Sequence, residues 1–493
     1  MKFNIWKFVA GLNPKYVLVF LVIFLPLSVY FTLQLKFSYD YEDFFPKGDP
    51  DLDFYYTFRD QFEHDDNFLL VGLKPKEGIL NTKFLTSVDS ATNKIQRSDY
   101  AERVYSIANF RYFIKSPFGF IDYPALHIYE PEKYAVDSGR IQLDERISGK
   151  LISDNFTTTV IFIKTDDTLS QQESVLFIDD VKQSLQESGI SDYHLLGKSN
   201  FQVELVKLQR KEFFLYSMLS VLLVAVVTYL LFRKIWAVLI SMTTVAISLI
   251  IFTGILGFSQ IEQNVMSTLF PIVIIIIGIS DAIHFLGKYI IELRKNNKRE
   301  IALFKTLSDI GFATLLTAVT SAIGFLTMLT SNVPPIRFFG VLSALGVLLV
   351  YIVVLFLISP LLKLFTLKQL DKFGYAGENK WGGIVEIIYN SGKNHTRKML
   401  TISAVILLIF TYGMTQITTD IHLEAGMPKN AKITEDFHFF EENFNGFRPF
   451  EIAALAQNNY LISDPVVLRE IEKVETFVHQ QEIINGLQSI TTV

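Results

Sequence analysis

The stretch VMSTLFPIVIIIIGISDAIHFLGKY, residues 265–289, limits this chain more than any other. From Val265 to Ile279 it is almost unbroken apolar sequence, and with its continuation it is long enough to cross a hydrocarbon core of about 30 Å. One carboxylate, Asp281, lies inside it. A charge near the middle of a bilayer costs roughly 2.5–3.5 kcal/mol on insertion scales, so such a residue normally faces a protein interior or a wet cavity and is a functional candidate by default. His284 follows three residues later, close enough along a helix to share protons or hydrogen bonds with Asp281. Two readings of His284 stay open: a group that tunes or relays protons, and a helix-end histidine at the membrane interface. Ser280 directly precedes the aspartate, while Gly278 one turn before it and Gly287 one turn after His284 allow close approach by a neighbouring helix.

Composition makes the rest of the chain mixed. Of 493 residues 50% are hydrophobic, too many for an ordinary soluble enzyme, and 19% are charged, too many for a chain wholly within a membrane. A net charge of −5 with no basic footprint argues against nucleic acid as a partner. The 44 Phe and 21 Tyr suit lipid-facing surfaces and membrane interfaces. Cysteine is absent, which excludes disulfides and thiolate chemistry.

Taken in order, residues 1–15 carry Lys2, Lys7 and Lys15 ahead of an apolar run at 16–35, the pattern of a retained signal anchor with a cytoplasmic N-terminus. Residues 36–212 are then an extracytoplasmic α+β domain. Two strand–helix–strand units are legible in it, 67–73, 82–96 and 103–107, then 157–165, 170–187 and 193–197, which predicts a ferredoxin-like split βαβ fold. Residues 109–155, rich in Pro, Gly and aromatics, carry no assignment. Five further spans fill 213–364, and the basic stretch 288–309 has the apolar spacing of an amphipathic helix on the cytoplasmic face. A basic cytoplasmic linker at 365–397 leads to a seventh span at 398–417. Thr314, Thr317 and Ser321 share one face of the fifth span, and small residues from Gly340 to Val347 line the sixth. Helix packing explains both stripes; the functional alternative is that they enclose Asp281.

Residues 418–493 repeat the start of the first hydrophilic domain. Pro428, Lys429, Phe440 and Phe444 fall over Pro46, Lys47, Phe58 and Phe62 at a constant offset of 382 residues, and QSI at 488–490 falls over YSI at 105–107 a residue or two further on. Duplication on this scale is the mark of two-halved transporters. Seven spans followed by the opening of a second domain predict a chain truncated in its second half.

A span, a large external domain, five spans and then the same again resembles the plan of the Resistance-Nodulation-Division (RND) superfamily. GISDAIHFLGKY is similar to that superfamily's fourth-span motif. TLSDIGFATLLTAVTSAIGFLTMLTSNVPPIRFFGVLSALGV and FFPKGDPDLDFYYTFRDQF resemble the hydrophobe exporter, mycobacterial large membrane protein (MMPL) and Patched-like branches. The resemblance covers nearly the whole chain and is weak for substrate. One departure is that this branch commonly places an aromatic or second acidic residue after the aspartate, where this chain has Ala282.

The resemblance implies export of lipids or other hydrophobic molecules across a bacterial inner membrane, driven by the proton-motive force. Asp281 and His284 would form the proton relay, with Gly278, Ser280, Gly287, Thr314, Thr317 and Ser321 around it and further partners from a second half. The coupling ion would be the proton, with sodium as the alternative, and no metal or organic cofactor is expected. Partners would be membrane lipids, a hydrophobic substrate, and a second copy or accessory envelope proteins. The competing reading is a sterol- or lipid-sensing or protein-export accessory protein on the same scaffold. Asp51, Asp53, His64, Asp65, Asp66 and His127 are ligand-type residues whose spacing matches no metal or nucleophile motif, so no enzyme is expected.

Overall fold

The structure is a computed structural model that describes residues 5–62, 67–116, 119–144, 146–166, 169–296, 298–364, 381–417, 431–444, 452–456, 460–480 and 489. In chain order the elements are α1 (Ile5–Gly11), α2 (Pro14–Leu33), α3 (Pro50–Phe62), β1 (Phe68–Leu73), α4 (Thr82–Ile95), β2 (Ala101–Tyr105), β3 (Arg111–Ser116) and β4 (Gly119–Pro124). They continue with α5 (Tyr134–Gln142), β5 (Thr159–Thr165), α6 (Gln171–Glu187), β6 (His194–Gly197), α7 (Lys198–Phe232), α8 (Ile235–Phe258), α9 (Phe270–Asn296), α10 (Arg299–Leu326) and α11 (Pro334–Leu364). Four more helices, Trp381–Asn394, Thr396–Met414, Lys432–Asn443 and Pro465–His479, follow. Two compact units result: Met1–Gly48 with Val206–Asp420, and Asp49–Leu205 with Ile421–Val493.

The first unit is helical. Seven helices among the described residues are long and apolar enough to cross a membrane, so the chain is a polytopic membrane protein. α8, α9, α10 and α11 pack on one another, and α2 lies along α8. Close approach is made at small residues. A Cβ on Gly254 would stand 2.8 Å from Ser28, and the Thr32 and Thr253 hydroxyls meet at 2.8 Å beside it. The small residues of α11 face inward too: Gly340, Ser343, Ala344, Gly346 and Val347 are all buried. A Cβ on Gly346 would be 3.0 Å from the Phe252 ring and 3.2 Å from Ile274, so this stripe seats the helices against one another.

α1 tucks under the bundle, its Val9 fully buried and its Trp6 ring covering the α-carbon of Gly311. Lys363, near the end of α11, donates from Nζ to the carbonyls of Ala10 (2.6 Å) and Leu12 (2.7 Å) and so satisfies the free end of α1. The stretch 288–309 is not one surface helix: it is divided between the end of α9 and the start of α10. The expected linker 365–397 contains the helix Trp381–Asn394, and the rest of it up to residue 380 lies outside the described residues.

The second unit carries a small sheet. Its strand order is β2–β5–β1–β6 with every pairing antiparallel, so the two strand–helix–strand units interleave. Side chains alternate across a strand: Leu69, Val71 and Leu73 of β1 pack beneath α4 and α6, against Val88, Ala91, Phe177, Val181 and Leu185. Ser170 caps α6 in a capping box with Glu173, and Asn81 caps α4. Helix Lys432–Asn443 covers the opposite face, where Phe437, Phe439, Phe440 and Phe444 join Leu70, Val160 and Leu196. Gly72 makes this contact possible, because a Cβ there would lie 2.9 Å from the Phe440 ring and closer still to Phe439. The unassigned 109–155 region holds the β3–β4 hairpin and α5, gathered on a separate cluster around Ile107, Leu126, Ile141 and Ile152.

Candidate functional site

Asp281 sits in the middle of α9 with 4% of its surface exposed. Its Oδ2 is buried, and among the described residues it has no hydrogen-bond partner. One turn earlier the helices approach closely: a Cβ on Gly278 would lie 3.1 Å from Val350 of α11 and 3.3 Å from Val245 of α8. Glycine there draws three helices together and shuts the carboxylate into their interior. A buried oxygen with no donor is costly in either protonation state, and least costly when the group is neutral.

Tyr351 of α11 is the polar neighbour that sequence reasoning missed. Its hydroxyl donates to the carbonyl of Gly311 at 2.9 Å, and its position brings it into electrostatic contact with Asp281. Thr314 Oγ1 donates to the same carbonyl at 3.2 Å and to that of Ile310 at 3.0 Å. Asp281, Tyr351, Thr314 and the Gly311 carbonyl therefore form one polar cluster across α9, α10 and α11. A signal existed in the sequence, since Tyr351 is the one phenol in the apolar run of α11.

The other expected residues lie elsewhere. His284 and Ser280 are on the exposed flank of α9, and no hydrogen bond or ion pair joins either to Asp281. Three residues of helix turn a side chain 60° away from its starting direction, and here that angle takes His284 across the edge of the buried face. Thr317 is exposed and donates to Ala313, while Ser321 and Gly287 are half-buried. Of the eight residues expected around the site, Asp281, Gly278 and Thr314 come together in the interior.

A second polar concentration closes the far end of α9. Glu292, itself buried, receives Lys288 at 3.4 Å, Lys295 at 3.8 Å and Lys305 at 4.0 Å, and Lys288 also reaches Asp309 at 2.8 Å. Every carboxylate there has cations in range, which sets Asp281 apart. Of the ligand-type residues in the other unit, Asp51 and Asp53 are exposed on α3, and His64, Asp65 and Asp66 lie outside the described residues. His127 is engaged: its Nδ1 lies 2.9 Å from Asp137 Oδ2, and its backbone N–H donates to the same oxygen.

A bundle of apolar helices, with a small antiparallel sheet in the other unit, defines a polytopic membrane protein. The MMPL family model matches residues 69–378, well over half of the chain. The chain belongs to the MMPL family of the RND superfamily, whose members are transporters rather than enzymes. No curated protein matches it.

Proposed function

We propose that this protein uses the proton-motive force to export lipids or other hydrophobic molecules across the inner membrane, with Asp281 as the group that takes up and releases the proton. The single observation that carries this reading is a buried carboxylate with one unpartnered oxygen, one turn from a close approach of three helices in an MMPL-family bundle. Protonation removes the burial cost of the charge, so the neutral and ionised forms favour different packings of α9, α10 and α11. Tyr351 is the nearby hydroxyl that can turn from the Gly311 carbonyl to an ionised Asp281, and Thr314 holds that carbonyl meanwhile. His284 and Ser280, on the exposed flank, take the role of a relay towards whatever covers that flank.

The same reading puts the N-terminus in the cytoplasm and the sheet-bearing unit outside, because the lysines of 1–15 and the basic stretch 288–309 belong on the cytoplasmic side. The interleaved order of its sheet supports a split βαβ domain there. The test is proton-coupled transport by Asp281→Asn, an isosteric change that removes only the charge, at matched protein level in the membrane. Transport is expected to fall to background with normal accumulation; transport at the parental rate would overturn the relay.

A further inference from the structure

The Gly311 carbonyl is one end of the polar cluster at Asp281, and α1 covers the residue that carries it. α1 turns one face to the bundle. Trp6, Val9 and Ala10 share the three- and four-residue spacing of a helix face; Val9 and Ala10 are buried and Trp6 is half-buried, while Lys7 and Phe8 are exposed. This face packs on α10 and α11, two of the helices that enclose the carboxylate. A Cβ on Gly311 would lie 2.5, 2.8 and 3.1 Å from three atoms of the six-membered ring of the Trp6 indole. Ring and glycine therefore fit as a pair, and a larger residue at 311 would have to displace the ring.

From that contact the site is two steps away. The Gly311 carbonyl accepts from the Tyr351 hydroxyl at 2.9 Å and from Thr314 at 3.2 Å, and Tyr351 is in electrostatic contact with Asp281. Gly311, Thr314 and Tyr351 are all buried. Seven residues of helix have little stability of their own, so α1 depends on what grips it: the indole on Gly311 near one end, and Lys363 on the carbonyls of Ala10 and Leu12 at the other. Other charges on the elements around α9 stand apart from the cluster. α8 has none, and Arg337 and Lys363 of α11 lie roughly 18–21 Å along the helix from Tyr351 at 1.5 Å per residue. Asp309 of α10 pairs with Lys288, and Lys7 of α1 and His284 of α9 are exposed.

We propose that Trp6 is a positioning residue of the Asp281 site and α1 its inner seal: the indole holds the Gly311 carbonyl within reach of both hydroxyls and keeps water on the α1 side out of the cluster. The proposal rests on the reading of Asp281 as the group that carries the proton. Burial away from water penalises the charged form of a carboxyl, so water admitted beside Tyr351 makes the ionised state easier to reach. The seal belongs to the helix that precedes the first span, so it can be altered without touching Asp281, Tyr351 or Thr314.

The test needs no substrate. A hydrophobic carbodiimide adds to protonated carboxyl groups in apolar surroundings and leaves a stable acylurea, which mass spectrometry of the digested full chain, labelled in native membranes, reads on the Asp281 peptide; Asp281→Asn is the blank. Labelling at neutral pH is divided by labelling of the same variant in mildly acid buffer, so that a change in reagent access cancels. Trp6→Ala is expected to lower this ratio several-fold, and Trp6→Phe, which keeps a ring on Gly311, to stay close to the parent. Gly311→Ala pushes the ring away with α1 unaltered and should give the same fall, which keeps the test open if Trp6→Ala fails to accumulate. A parental ratio in Trp6→Ala or Gly311→Ala overturns the proposal, as does a fall as large in Trp6→Phe as in Trp6→Ala. A parent labelled no more than the blank at either pH overturns the proton reading of Asp281 itself, a failure distinct from the others.

Discussion

Four carboxylates among the described residues are buried to nearly the same degree, and one of them, Asp281, is treated unlike Glu292 on its own helix and unlike the two in the other unit. Asp137 and Asp436 of the sheet-bearing unit are 1% and 3% exposed, and each is surrounded by donors. Asp137 accepts from the His127 backbone and ring and from Arg140 at 2.8 Å; Asp436 accepts from His194 and Lys432. Asp281 of the helical unit, at 4% exposure, has an oxygen with no partner among the described residues. Burial alone therefore does not mark a working group. A buried charge with good partners is fixed in one state and holds structure together, whereas one without them can change state at low cost.

The contrast breaks if the two kinds of residue respond alike. Asp281→Asn has the largest expected effect on activity, transport reduced to background, with no loss of thermal or denaturant stability; a destabilised protein would place Asp281 with the structural carboxylates. Asp137→Ala is expected to do the reverse, leaving His127 and Arg140 without their anion. It should cost about 3 kcal/mol in the unfolding of the sheet-bearing unit, read as a lower denaturant midpoint, with the surviving folded protein transporting normally.

Tyr351→Phe sharpens the comparison from the other side. It removes the hydroxyl in electrostatic contact with Asp281 and is expected to slow transport several-fold and shift its pH profile, because the ionised form loses that hydroxyl as a donor it could recruit; an unchanged profile would remove Tyr351 from the site. His194→Ala deletes a donor to Asp436 and the ring beneath Phe439, and should cost about 1–2 kcal/mol, seen as faster proteolysis of helix Lys432–Asn443.

The smallest effect lies at the surface of the α5 region. Hydrogen bonds from Arg146 hold the Asp144 carboxyl below its usual range, while burial, with Asp144 beside it, pushes the Tyr112 phenol up to about 12. A depressed carboxylate contributes stability that is present above its unfolded value of about 3.9 and is lost as pH falls through the lower folded value. Asp144→Asn should therefore lower stability slightly at neutral pH and flatten its decline below about pH 4; a decline as steep as the parent's would assign the acid response to other groups.

Much of this was legible because the relevant signals are local and periodic. Alternation in FLLVGL and TVIFIKT marked β1 and β5, and Ser170 with Glu173 marked the start of α6. Asp281 stood out because a charge in an apolar run is costly. The rest depended on what meets what in space. The β3–β4 hairpin escaped because its Pro, Gly and aromatic residues lack a clear period. α1 escaped because seven residues are too few to show one. His284 was expected beside Asp281 from spacing alone, and only the placement of the neighbouring helices shows which side of α9 is covered. Tyr351 was hidden for the converse reason, as its partner lies on another helix, forty residues away at Gly311.

The staple between Lys363 and the end of α1 has a consequence for how the chain is made. The two hydrogen bonds span 353 and 351 residues of sequence. At roughly 5–20 residues per second, the ribosome reaches the lysine roughly 20–70 s after it has finished the carbonyls that the lysine will hold. For most of that interval Trp6 has no Gly311 to cover, and the first helix waits at the membrane for the sixth long one. The bundle is thus fastened at its base only after its sixth long helix has been made.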